Sequence, residues 1–188
     1  MTLGAEERRR LLRVARTAIA LATGAAGEPE PASARAPAAA SSRPSGAFVS
    51  LHRRTTDELR GCIGCFEGRG PLEDTVARMA VQAAIHDPRF PPVRSAELDD
   101  LSIEISVLSP MAEVDDPRRV EPGKHGLVVS RGERRGVLLP QVATEYGWSR
   151  EEFLDHTCLK AGLEPGDWRK PGTRLHVFTA EVFGEPAD

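Results

Sequence analysis

Residues 47–65 run Ala47-Phe48-Val49-Ser50-Leu51-His52-Arg53-Arg54-Thr55-Thr56-Asp57-Glu58-Leu59-Arg60-Gly61-Cys62-Ile63-Gly64-Cys65. Val49 and Leu51 alternate with Phe48, Ser50 and His52; Leu59, Gly61, Ile63 and Cys65 alternate with Arg60, Cys62 and Gly64. Successive side chains of a strand point to opposite faces, so each half predicts a half-buried strand, with Arg53 to Glu58 as the turn of a hairpin. Residues opposite each other in an antiparallel pair share a face. The register that best separates apolar from polar residues puts Val49, Leu51, Leu59, Ile63 and Cys65 toward a core. It leaves Ser50, His52, Arg60 and Cys62 together on the other face.

That grouping makes Cys62 a candidate nucleophile. A thiol between two glycines is approachable, a guanidinium beside it favours the thiolate, and an imidazole on the same face supplies a base. The catalytic candidates are therefore Cys62, His52 and Arg60. The competing structural reading is that a free cysteine packs as a small hydrophobe, which is the expectation for Cys65 and Cys158. The Cys62-x-x-Cys65 spacing lies in a strand and turns its two thiols to opposite faces, unlike a redox pair capping a helix. It also lacks the second Cys pair of a structural zinc site. No metal ligand is assigned.

Beyond the hairpin, Gly70-Pro71 opens a helix whose buried stripe is Leu72, Thr75, Val76, Met79, Ala80 and Ala83; Asp87-Pro88 and Pro91-Pro92 end it. Leu101, Ile103, Ile105 and Val107 alternate with polar residues and predict a third strand. Gly126 to Ser130 and Gly136 to Leu139 predict a second hairpin, entered through a turn that carries Lys124 and His125 at its tip. Ser149 and Glu152 form a capping-box pattern before a helix bearing Leu154, Cys158 and Ala161. A last strand is expected from about Leu175 to Phe183. Hairpins and helices without repeated β-α-β units predict an α+β fold with a mainly antiparallel sheet.

Upstream, Leu11, Leu12, Ala15, Ala18, Ile19 and Ala22 fall on one side of a helix. Residues 1–23 are thus expected to dock on a body formed by residues 47–188. Residues 24–46 are rich in Ala, Pro and Ser without periodicity and predict a flexible connector. The 188 residues carry a net charge of −3 and a pI near 6.0, which give no general attraction to nucleic acid or to an anionic membrane. Three cysteines do not make a disulfide scaffold, and reduced thiols point to the cytosol. No P-loop, dinucleotide fingerprint or nucleophile elbow is present.

Leu59-Arg60-Gly61-Cys62-Ile63-Gly64, Asp87-Pro88-Arg89-Phe90-Pro91-Pro92, Gly123-Lys124-His125-Gly126, Leu138-Leu139-Pro140-Gln141 and Cys158-Leu159-Lys160-Ala161-Gly162-Leu163 occur in that order. Together they resemble the AMMECR domain family, whose prokaryotic members are the A proteins of the AmmeMemoRadiSam system. The resemblance implies an α+β domain with a larger and a smaller lobe, working with a Memo-like protein and a radical S-adenosylmethionine protein. Leu59 to Gly64 matches the family signature and Cys158 a downstream family cysteine; Cys65 departs from the pattern. The expected role is an accessory or ligand-binding component with a site around Arg60, Gly61, Cys62, Ile63, Gly64, Lys124 and His125. A cysteine-dependent enzyme and a pure protein-interaction domain stand as alternatives. No cofactor is assigned, and the oligomeric state is left open.

Overall fold

A computed structural model describes residues 3–25 and 45–186. The expected connector lies outside the described residues, apart from positions 24, 25, 45 and 46. The chain divides into two compact units, Met1–Leu108 with Glu181–Asp188, and Ser109–Ala180. In chain order, α1 (Ala5–Ala22), β1 (Ala47–Arg53), β2 (Leu59–Cys65), α2 (Leu72–Ile85) and β3 (Leu101–Leu108) build the first. The second holds β4 (Ala112–Glu113), β5 (Gly126–Arg131), β6 (Arg134–Leu138), α3 (Pro140–Glu145), α4 (Arg150–Lys160) and β7 (Thr173–Phe178). β8 (Ala180–Gly184) then joins the first sheet. The fold is α+β, with two antiparallel sheets of order β2-β1-β3-β8 and β4-β7-β5-β6.

In the first unit, Val49 sits between Ile63 and Ile105, and Leu51 between Gly61 and Ile103. This face joins one core with Leu11, Ala15 and Ile19 of α1 and Leu72, Val76, Ala80 and Ala83 of α2. The helix stripes and the strand alternation therefore meet, because each is a single apolar face that only the other can cover. Polar groups fix α1 as well: Arg16 donates to the carbonyls of Leu98 and Leu101 and pairs with Glu185, and Arg10 pairs with Glu73. No helix among the described residues is long and apolar enough to cross a membrane.

The hairpin departs from the expected register at one end. Ser50 faces Cys62 and Leu51 faces Gly61, but His52 faces Leu59, so Arg60 is an extra residue on β2. Such a bulge reverses the side-chain parity beyond it. Leu59, expected in the core, is 37% exposed, and Arg60, expected on the face of His52 and Cys62, is buried.

In the second unit, Leu127, Val129, Phe153, Leu154, Cys158 and Leu175 share a separate core. Ser149 and Glu152 close the expected capping box on α4: the Glu152 amide donates to Ser149 Oγ, and the Ser149 amide to Glu152 Oε2. The single terminal strand expected up to Phe183 is instead two, β7 and β8, in different sheets. They part at Thr179, whose carbonyl accepts the Ser109 amide and whose amide donates to Ser109 Oγ. With its backbone groups held there, Thr179 continues neither ladder.

Candidate functional site

β2 is the outer strand of its sheet, and an outer strand presents backbone groups that need partners. At Cys62 those partners come from the loop after α2. The Cys62 amide donates to Asp87 Oδ2 at 2.8 Å, and Arg89 Nη2 donates to the Cys62 carbonyl at 3.1 Å. Asp87 is buried, and it also accepts from the Arg89 amide and from Arg89 Nε and Nη2 at 2.7–3.1 Å. Those Arg89 donors, joined by the Cys62 amide, hold the Asp87 carboxyl well below the usual carboxylate range despite burial. The same pair keeps Arg89 firmly charged. Two separate sequence motifs are thus one clamp.

The Cys62 thiol is half-buried, and Ser50 Oγ donates to its Sγ at 3.2 Å. His52 turns elsewhere. Its Nδ1 lies 3.2 Å from the Asp57 carbonyl oxygen, and the ring lines an open cleft of about 370 Å³ with Arg54, Asp57, Ser102, Glu104 and Glu185. Cys62 does not line that cleft. The expected thiol–imidazole pair is therefore replaced by a thiol–hydroxyl contact. Cys65 is half-buried near Arg78 Nη2 at 3.9 Å. Cys158 is fully buried, and that burial pushes its thiol pKa up.

Arg60 pairs with Glu97, not with Cys62. Its Nε and Nη2 donate to the two Glu97 carboxylate oxygens at 3.0 and 3.2 Å, a bidentate pair. Arg60 and, to a lesser degree, the Arg94 amide and Arg53 lower the Glu97 pKa. A buried guanidinium without such a partner would be costly, which is why the bulge carries Arg60 to Glu97 and away from the face of Cys62. Its Nη1 is buried and has no hydrogen-bond partner among the described residues.

The signature glycines serve packing. A Cβ on Gly61 would lie 2.3 Å from the Ala83 carbonyl oxygen of α2, and one on Gly64 would lie 2.2 Å from the Phe48 ring. Ile63 packs against the first core. Lys124 and His125 belong to the second unit, where both engage Glu121: Lys124 Nζ donates to its carboxylate at 2.9 Å, and its amide meets His125 Nδ1 at 3.2 Å. Among the described residues, no group of three or more His, Cys, Asp and Glu is placed to hold a metal ion.

The sequence pattern gives Asp87 only a place at the end of α2, and it gives Arg89, Glu97 and Ser50 no partner. The Asp-Pro-Arg spacing did carry a signal, since an aspartate accepts readily from the amide two residues on. Ser50 was placed on the right face without a partner. Nothing local marks Glu97, whose link to Arg60 spans 37 positions.

A protein-family model described as AMMECR1 matches residues 12–183. A protein of Methanopyrus kandleri is 49% identical over 147 residues, which cover 74% of this chain and 71% of the relative. A protein of Aquifex aeolicus is 44% identical over 149 residues, covering 77% and 76%. The crystal structure of an uncharacterised protein from Pyrococcus horikoshii superposes with a TM-score of 0.76 at 41% identity, covering 94% of this chain and 90% of that one.

Proposed function

Because the chain belongs to the AMMECR1 family, we propose that it is a cytosolic, ligand-binding accessory component that acts beside a Memo-like protein and a radical S-adenosylmethionine protein. One observation carries this reading: the polar groups of the signature motifs are engaged in building a frame. Asp87 and Arg89 hold the Cys62 backbone, Glu97 holds Arg60, and Gly61 admits the backbone of α2. A nucleophilic enzyme needs its base within hydrogen-bond reach of the nucleophile. Here the ring nitrogen of His52 meets the Asp57 carbonyl, and the groups beside the thiol are the Ser50 hydroxyl and the charged Arg89 guanidinium, neither of which is a base. A rigid frame beside open clefts suits holding a ligand for a partner better than covalent chemistry.

The test is co-expression of the tagged full chain with Memo-like and radical S-adenosylmethionine proteins encoded beside it. The purified assembly is then analysed by native mass spectrometry. The expected result is a stable complex, retained in a Cys62→Ala variant, together with a small molecule released on denaturation. Purified chain that turns over a thioester or ester substrate, with the activity abolished by Cys62→Ala, would favour the cysteine enzyme instead. A complex that forms but carries no small molecule would favour the interaction domain.

A further inference from the structure

We infer that a second cleft of the first unit, formed by the β2 bulge and the loop after α2, binds a small organic oxyanion with an apolar portion, a carboxylate or a phosphate ester. This rests on the ligand-binding reading above and names the ligand class. The cleft has a volume of about 530 Å³, within the ordinary range for small-molecule sites. Its lining residues include Arg53, Arg60 and Arg94, with Glu58 and Glu97 as the acidic ones.

Glu97 has no acceptor capacity left. Its Oε1 takes Arg60 Nε and Arg53 Nη2, and its Oε2 takes Arg60 Nη2 and the Arg94 amide. A carboxylate offers about four lone-pair sites, and all four are in use. Glu58 is exposed and accepts from Thr56 Oγ1. The donors are in surplus. Arg53 reaches Asp100 as its other carboxylate, whereas the Arg94 guanidinium makes no ion pair among the described residues.

Arg60 is the one buried residue of the lining, and its Nη1 lacks an acceptor. The charge of Arg60 beneath the cleft attracts an oxyanion, which the exposed Arg94 guanidinium can receive with charge-assisted hydrogen bonds. The other lining residues are apolar: Leu59, Phe90, Pro91, Pro92 and Ala96. Leu59 stands there because the bulge turns it outward, so the same irregularity supplies the buried cation and the apolar wall. Guanidinium donors beside a hydrophobic wall match an anionic head on an apolar body.

The experiment titrates the full chain with phenyl phosphate, benzoate and the neutral benzamide, following backbone amide resonances. Both anions, but not benzamide, should shift Leu59, Arg60, Phe90 and Arg94 saturably, and added salt should weaken the effect. Arg94→Gln lies at an exposed position and should keep the melting temperature while weakening anion binding by about three- to tenfold, as loss of one charge-assisted hydrogen bond implies. Saturation by phenyl phosphate alone assigns the site to phosphate esters, and by benzoate alone to carboxylates. No saturable shift, an equal response to benzamide, or unchanged affinity in Arg94→Gln overturns the inference. If the released small molecule of the co-purification test is neutral or cationic, this inference fails while the accessory reading stands. If the anions bind but no partner complex forms, the partnership fails and the cleft stands.

Discussion

Asp87 and Cys62, 25 positions apart, are joined by a 2.8 Å hydrogen bond from the Cys62 amide to a buried carboxylate. Arg89 completes the link by bonding both the Asp87 carboxylate and the Cys62 carbonyl. At Cys62 the outer edge of β2 is thereby closed by side chains instead of by another strand. An unpaired edge invites pairing with another chain, so the clamp protects the sheet as well as holding the signature strand.

Replacing Asp87 by Ala leaves the Cys62 amide without its acceptor and Arg89 without its counter-charge. The expected loss is about 2 to 3 kcal/mol of folding stability, short of a fully buried pair because Arg89 is partly exposed. Urea unfolding measures it. An unchanged midpoint would mean that the edge is held by something other than the clamp.

Asp87 and Glu97 both have folded-state pKa values below their ordinary ones, Asp87 through Arg89 and Glu97 through Arg60. A depressed carboxyl stabilises the fold at pH values above its unfolded pKa, and that contribution is lost as pH falls toward the folded one. Stability should therefore decline as pH drops below about 4. Asp87→Asn, which cannot ionise, should decline less steeply over the same range. Parallel unfolding curves for the two proteins across a pH series would contradict this.

Gly61→Ala sets a methyl group against the backbone carbonyl of Ala83, whereas Gly64→Ala meets the side chain of Phe48. A helix backbone embedded in the core yields less readily than a ring. Gly61→Ala should cost about 3 kcal/mol or more, and Gly64→Ala about 1 to 2 kcal/mol. The ranking of their Tm values decides the matter, and the reverse order would refute the packing account.

The Arg60–Glu97 pair predicts non-additivity. In a cycle of Arg60→Met, Glu97→Gln and the double variant, the coupling should reach about 2 kcal/mol, because either single change leaves a desolvated charge behind. Additive losses would show that the two residues act independently.

Limited alkylation of the native protein followed by peptide mapping should leave Cys158 unmodified until unfolding. Burial both excludes the reagent and raises the thiol pKa. Cys62 and Cys65, both half-buried, should react first. Native-state labelling of Cys158 at their rate would show that α4 opens locally.

Alternation along Val49–Leu51 and Leu101–Val107, the stripe of α2 and the Ser149–Glu152 cap were all legible, because each depends on residues a few positions apart whose side-chain directions follow from strand or helix geometry. The family motifs were legible for the same reason, as short strings. What the string could not carry was the parity change at Arg60. A bulge leaves the local alternation intact and reveals itself only in the register against β1. That one extra residue sends Arg60 to Glu97 and Leu59 to the surface, and so removes the guanidinium that sequence alone had set beside Cys62. The partner that Cys62 does have, Ser50, was on the expected face, whereas Asp87 and Arg89 reach its backbone from a loop whose path is fixed by the packing of α2 on the sheet. Away from the β2 bulge and the break at Thr179, sequence determined the main strands and helices and the faces they bury, since those are local consequences of side-chain period. Tertiary structure alone decided which charges meet, because a buried charge takes the partner that the folded chain brings within reach, however distant in sequence.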